Sequence, residues 1–175
     1  MKSLLLTTSF IFAPLIANAE ENFSDLIEKL DKFDAAQTDR GEYLDQMETI
    51  FPDLSVAAFL LFTRLGPELS DHVPDFTWSE AYETAYGCMY DQTAGVGNYD
   101  DLNAYTQGGL VSLQYLRDHP DLNFMTMTEH PEYMDSVKPS ADYLTLLQEC
   151  GVQDLTRDAL KKSGMMEALQ KVASQ

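Results

Sequence analysis

Four side chains that can bind soft metal ions lie within ten residues of one another. Met125, Met127 and Met134 offer thioether sulfurs, and His130 offers an imidazole. This donor set suits copper(I), in a compartment where thiols are oxidised. Methionine also fills irregular gaps in protein cores. The stretch therefore predicts either a copper site at these four residues or a loop whose methionines pack against the core.

All three histidines stand beside acidic residues. Two of them, at 118–121 and 129–132, occur in near-identical contexts (Asp-His-Pro-Asp and Glu-His-Pro-Glu), and the third lies in an acidic segment at 71–75. A proline followed by an acid is typical of a helix start, because negative charge is favourable at the positive end of the helix dipole. The alternative is a metal site, since nearby carboxylates orient imidazole ligands.

The sequence contains none of the common catalytic signatures. There is no His-Glu-x-x-His motif, no Gly-x-Ser-x-Gly motif and no glycine-rich phosphate loop. Two carboxylates about 5–10 Å apart suffice for glycoside hydrolysis, but no spacing among the 29 acidic residues selects such a pair. We therefore predict a non-enzymatic protein, with a carboxylate-dependent hydrolase as a further alternative.

Aromatic residues recur at helical spacing from Trp78 to Tyr90. Tyr82, Tyr86 and Tyr90 are each one turn apart, and Trp78 lies one turn earlier. Residues at this spacing share one helix face. Such a face is typical of a core boundary, where rings are buried and hydroxyls reach water. The alternative is an exposed aromatic groove for a partner or ligand, because these residue types dominate binding interfaces.

These residues must be positioned by helices. Apolar residues recur at helical periods through most of the chain, and no alternating valine- and isoleucine-rich run predicts a strand. The 175 residues fit one domain. We predict an all-α, single-domain bundle of about six to eight helices. Gly108 and Gly109 inside one predicted helix indicate a kink or a close helix crossing.

Local signals predict several helix boundaries. Asp39 and Glu42 have the spacing of a capping box at a helix start. Pro52 is expected to end that helix, because proline lacks the amide proton that a helix interior requires. Asp53 then caps a separate helix at 54–65.

Cys88 and Cys150 are the only cysteines of the chain. Each falls on the apolar side of its predicted helix, and two thiols in an oxidising compartment usually pair. We predict a structural disulfide between them. It would close a loop of about 60 residues and stabilise the fold by about 4 kcal/mol.

The N-terminus has the layout of a secretory signal peptide. Lys2 precedes an apolar run, and Ala17-Asn18-Ala19 matches the small-residue rule for cleavage. We expect cleavage after Ala19, which leaves a single acidic domain at 20–175 in the periplasm or outside the cell. No later apolar stretch is long enough to span a membrane.

Acidic residues exceed basic ones by a formal net charge of −18, and loss of Lys2 with the signal peptide makes it −19. This excess excludes general binding to nucleic acid phosphates and argues against docking on anionic lipid. It favours encounter with a basic partner. We therefore predict an exported, non-enzymatic protein of the cell envelope that binds a protein partner, such as an inhibitor, an immunity-type protein or an accessory factor.

Overall fold

The computed structural model describes residues 23–174, and all regular secondary structure in that range is helical. The first helix, α1, spans residues 23–31. It is followed by α2 (Arg40–Ala57), α3 (Leu60–Thr63), α4 (Glu80–Ala94), α5 (Asp100–Asp118), α6 (Pro131–Ser136), α7 (Ala141–Glu149), α8 (Val152–Ser163) and α9 (Met165–Ala173). Short 3-10 turns span Ala35–Gln37, Pro67–His72 and Met127–Glu129. The predicted all-α bundle is confirmed.

Helix α2 begins with the predicted capping box. Asp39 Oδ1 accepts a hydrogen bond from the Glu42 amide at 2.9 Å, and the Glu42 side chain accepts one from the Asp39 amide at 3.2 Å. Two backbone amides that have no partner within the helix are satisfied in this way. The box therefore fixes the start of α2 at Arg40.

The predicted end of α2 is wrong. The helix continues through Pro52, and the separate helix expected at 54–65 does not form; the break falls instead at residues 58–59. Proline removes one hydrogen bond from a helix interior. Burial of Phe51 and Leu54 on either side of Pro52 keeps the neighbouring turns in place.

One main apolar core joins α1, α2, α4, α5, α7 and α8. Its fully buried large side chains are Leu30, Tyr43, Met47, Tyr86, Met89, Leu102 and Leu113. Two smaller clusters lie at its edges, one around Leu122 and one around Met165. The long helices α2, α4 and α5 therefore share a single core.

The predicted disulfide is present. Cys88 in α4 and Cys150 directly after α7 are bonded, with Cα atoms 5.6 Å apart and a sequence separation of 62. The bond fixes α7 to a helix of the main core.

The side chain of Leu54 in α2 packs directly against α5 at Gly109, within the glycine pair that predicts a kink or a close helix crossing. A Cβ atom added at Gly109 would lie 2.5 Å from Leu54 Cδ1. Glycine permits this approach because it has no side chain. This contact joins two helices that also form the cleft described below.

The predicted signal peptide at residues 1–19 lies outside the described residues. Its cleavage after Ala19 and the export of the protein therefore remain predictions. Among the helices of residues 23–174, none has both the length and the apolar character needed to cross a bilayer.

Candidate ligand-binding cleft

A cleft of about 680 Å³ opens beside the main core, between helices α2, α5 and α7. Its apolar lining includes Phe51, Leu54, Phe59, Val111, Leu113 and Leu147. Small-molecule sites are typically concave, mostly apolar and about 300–1,000 Å³ in volume. The cleft has the size and the surface of such a site.

Helix α5 forms one side of the cleft with a row of small residues. Ala104, Gly108 and Ser112 line the cleft at intervals of four residues, and Val111 lies three residues after Gly108, so they share one helix face. A Cβ atom added at Gly108 would meet no atom within 4 Å. The small side chains on this face leave space that a larger residue at position 108 would occupy.

Hydroxyl groups supply much of the polar lining. Ser55 Oγ and Tyr105 Oη are 3.1 Å apart, and the ring of Tyr105 lies 6.1 Å from that of Tyr86. Burial raises the pKa of Tyr105 to about 12 and raises the pKa of Tyr86 well above its ordinary value. Both phenols therefore stay protonated at neutral pH and keep a proton to donate.

The cleft carries little of the charge of the chain. No described residue that lines it is acidic, although the chain has 29 Asp and Glu. Among the described lining residues, Lys138 is the one cation, and its side chain is exposed. Asp101 lies just outside, where it accepts a hydrogen bond from Ser140 at 3.2 Å. The interior of the cleft is uncharged.

The predicted aromatic row lies in the core. Tyr82, Tyr86 and Tyr90 are each at most 9% exposed, and Trp78 is half-buried against the main core. The row therefore has the character of a buried core boundary, and these three rings do not form an exposed groove. Of the four residues, Tyr86 lines the cleft.

The predicted copper ligands lie in the segment that leads into α6 and, for Met134, in α6 itself, in unlike surroundings. Met125 is 67% exposed and Met134 37% exposed, whereas Met127 packs against the small apolar cluster around Leu122. Across residues 23–174, no three His, Cys, Asp or Glu side chains form a group that could hold a metal ion. That finding does not concern thioethers, so copper binding by the three methionines and His130 stays a prediction.

His130 belongs to a polar cluster with Tyr115, His119 and Glu132, which we call the histidine cluster. His119 stacks on Tyr115 with ring centroids 4.1 Å apart, and the two imidazole rings are 5.4 Å apart. Tyr115 Oη donates a hydrogen bond to Glu132 and lies 2.9 Å from His130 Nδ1. Because Tyr115 has one hydroxyl proton, His130 Nδ1–H donates to Tyr115.

The same hydrogen bond shifts the titration of two members of this cluster. Donation from Tyr115 holds the pKa of Glu132 below its ordinary value. The bond to Glu132 is also the main cause that raises the pKa of Tyr115 to about 12. Glu132 therefore stays ionised to a lower pH than an isolated glutamate.

The two near-identical histidine contexts have different local structures. Helix α6 begins at Pro131, so the predicted helix start at 129–132 is confirmed. The one at 118–121 is wrong, because this segment ends α5. Arg64 donates hydrogen bonds to the carbonyl oxygens of Leu116, His119 and Leu122, which stabilises the chain where it leaves α5.

The sequence did not reveal the cleft. Its one available signal was the pair Gly108–Gly109, which predicted a close crossing but not the open space beside it. His119 was also absent from the predicted copper ligands, although the repeated His-Pro context could have linked it to His130.

No protein-family model matches this chain, and neither does any curated protein or solved structure. The geometry of the cleft and of the histidine cluster is therefore the basis for functional inference.

Proposed function

We propose that the protein is an exported, non-enzymatic binding protein that holds one small apolar molecule in the cleft. The observation that carries this proposal is the cleft of about 680 Å³, which has an apolar lining and a few hydroxyl groups. Apolar walls provide affinity, because removing apolar surface from water is favourable. A small number of polar groups then orients the ligand.

Two observations support export. The disulfide between Cys88 and Cys150 is of a kind that persists in oxidising compartments. The first 19 residues have the layout of a signal peptide. Both support a location in the periplasm or outside the cell.

The acidic surface supports a second role, contact with a basic protein partner. Several exposed cations already pair with acids: Lys32 with Glu28, Arg40 with Asp91, Arg117 with Asp118, Arg157 with Asp154 and Lys161 with Asp158. The formal net charge of −18 leaves many more acids than such pairs can neutralise. A negative field of this kind speeds encounter with a basic protein and weakens in salt.

The partner proposal is tested by affinity capture from the native envelope. We expect a basic protein to be retained at about 50 mM salt and released at about 500 mM, because salt screens exposed charges. Recovery of the protein alone at both salt concentrations would contradict this role and leave the cleft proposal unaffected.

The cleft proposal can be tested with the single tryptophan as a reporter. The ring of Trp78 lies 5.7 Å from that of Phe51 and 5.6 Å from that of Tyr86, and both of these rings line the cleft. Titration with the neutral fluorophore 1-aminoanthracene should increase probe emission and change Trp78 emission in parallel, both reaching saturation. Absence of saturable binding would contradict the proposal.

Substitutions at Gly108 locate the binding. Gly108→Leu adds a side chain on the α5 face that lines the cleft, and it should weaken probe binding at least tenfold. Gly108→Ala is the matched control, because it makes the same backbone change but adds only one methyl group. Equal affinity of the two variants would show that the probe binds elsewhere.

A further inference from the structure

The hydroxyl groups of the cleft have more protons to donate than they use among themselves. Ser55 and Tyr105 carry two hydroxyl protons and share one hydrogen bond. That bond consumes one proton, so one proton remains whichever way it runs. Tyr143 adds a further hydroxyl on the cleft wall. The wall therefore presents surplus donors.

These donors lie among apolar side chains, which restricts the ligand. Ser55 and Tyr86 are buried, and Tyr86 packs against Phe51 with ring centroids 5.3 Å apart. A hydroxyl that is cut off from water and has no acceptor costs free energy. A ligand that covers this wall must therefore bring an acceptor oxygen of its own.

Charge restricts the ligand further. Within residues 23–174, no acidic side chain lines the cleft to receive a cation, and the only lining cation, Lys138, is exposed. Asp101 lies just outside the cleft, and the chain as a whole is strongly negative. Burying an ion here would leave it unpaired, which is costly in apolar surroundings.

We infer that the cleft selects an uncharged apolar molecule bearing a carbonyl oxygen, such as a medium-chain ketone or ester, which accepts the surplus hydrogen bond of the Ser55–Tyr105 pair. This inference rests on the proposed function, because it specifies the ligand of the same cleft. Burial of the phenols supports it, since they remain donors throughout the neutral pH range.

The experiment compares three probes that share one chain length: nonane, 2-nonanone and nonanoate. Each displaces 1-aminoanthracene from the full chain with its disulfide intact. Tyr105→Phe removes the hydroxyl and keeps the ring, whereas Tyr90→Phe is the matched control, because the Tyr90 hydroxyl donates to the Thr38 carbonyl outside the cleft. The ratio of variant to parent affinity is taken for each probe, so the hydrophobicity of the probe cancels.

We expect Tyr105→Phe to weaken 2-nonanone about tenfold, as loss of one buried hydrogen bond predicts. Binding of nonane should change less than twofold, and Tyr90→Phe should change neither probe. The double variant Ser55→Ala, Tyr105→Phe removes both protons of the pair and should weaken 2-nonanone at least as much as Tyr105→Phe alone. Near-ultraviolet circular dichroism checks the fold of each variant.

Two results would overturn the inference and leave the proposed function standing. One is an unchanged affinity for 2-nonanone in both hydroxyl variants. The other is tighter binding of nonanoate than of 2-nonanone, lost in Lys138→Met, which would identify an anionic ligand instead. Failure of every probe to bind would overturn the proposed function itself.

Discussion

The cleft and the histidine cluster both lie along helix α5, but they are held in different ways. The cleft borders the middle of the helix, where α2 and α7 are joined to the main core and the disulfide fixes the end of α7. The histidine cluster lies at the C-terminal end of α5, beside the small apolar cluster around Leu122. Its polar groups are exposed or half-buried.

The two regions differ in residue type as well. The histidine cluster contains imidazole, phenol and carboxylate groups, which can take part in acid-base or metal chemistry. These groups are exposed or half-buried at the edge of the fold. The cleft uses glycine, alanine, serine and aromatic residues, which have little reactivity but leave space where three helices meet. A binding site in a helical bundle can thus arise where small side chains leave a gap between the helices.

Removing the disulfide should have the largest effect of the variants compared here, and it acts on the cleft side of the molecule. Replacing Cys88 and Cys150 together by alanine should lower the free energy of unfolding by about 4 kcal/mol, because the unfolded chain regains the freedom of a long loop. Affinity for 1-aminoanthracene should also fall, since α7 is no longer fixed to α4. Urea unfolding measures the first effect; an unchanged midpoint would show that the cleft side does not depend on this bond.

Arg64→Met tests the other region and should have the second largest effect. The variant keeps the aliphatic stem but loses the hydrogen bonds to the three carbonyl oxygens at the end of α5. We expect a loss of about 2 kcal/mol in unfolding free energy. Hydrogen exchange should accelerate first at residues 119–137. The control Arg117→Met removes only an exposed ion pair with Asp118, so comparable exchange in both variants would argue against this role.

Alanine substitutions at the two neighbouring glycines test the packing of α5 on the cleft side. Gly109→Ala should lower the free energy of unfolding by about 1 kcal/mol net, because the new methyl group collides with Leu54. Gly108→Ala should raise it by up to about 1 kcal/mol, because alanine favours the helix and meets open space. Thermal unfolding compares them, and effects of the same sign would contradict the packing described.

Tyr115→Phe should produce the smallest effect, confined to the histidine cluster. Loss of the hydroxyl should raise the pKa of Glu132 toward its ordinary value, as followed by NMR titration of the carboxylate. The lowered pKa of Glu132 contributes stability that is fully present above the unfolded value near pH 4.3, about the value of an isolated glutamate. That contribution is lost as the pH falls through the folded pKa.

The control for this prediction is Tyr133→Phe, whose hydroxyl bonds to Ser112 Oγ at 2.9 Å. It should leave the titration of Glu132 unchanged. If both variants shift the pKa of Glu132 equally, the shift does not come from the bond to Tyr115.

Local rules predicted the parts of the fold that depend on neighbours in sequence. The capping box at Asp39 and Glu42 and the inward position of both cysteines could be read from spacing. The end of α2 could not, because the helix continues past Pro52 through burial against distant helices. The two His-Pro contexts differ in outcome because Arg64, far away in sequence, binds the chain at the first of them.

The cleft depends on distances that no sequence spacing encodes. Gly108 and Gly109 are the same residue type on one helix, yet one meets Leu54 and the other meets open space. Whether a glycine on this helix meets Leu54 or open space depends on where α2 and α7 lie. The histidine cluster likewise required the end of α5 to meet the start of α6.

The disulfide also determines how the molecule responds to proteolysis. Cys88 and Cys150 close a covalent ring that contains α5, α6 and α7, and therefore much of the cleft wall. Arg117 is exposed within this ring and is a site at which trypsin-like proteases cut, whereas Pro139 protects the bond after Lys138. One cut after Arg117 leaves both fragments joined through sulfur. The nicked protein would migrate as one species until it is reduced.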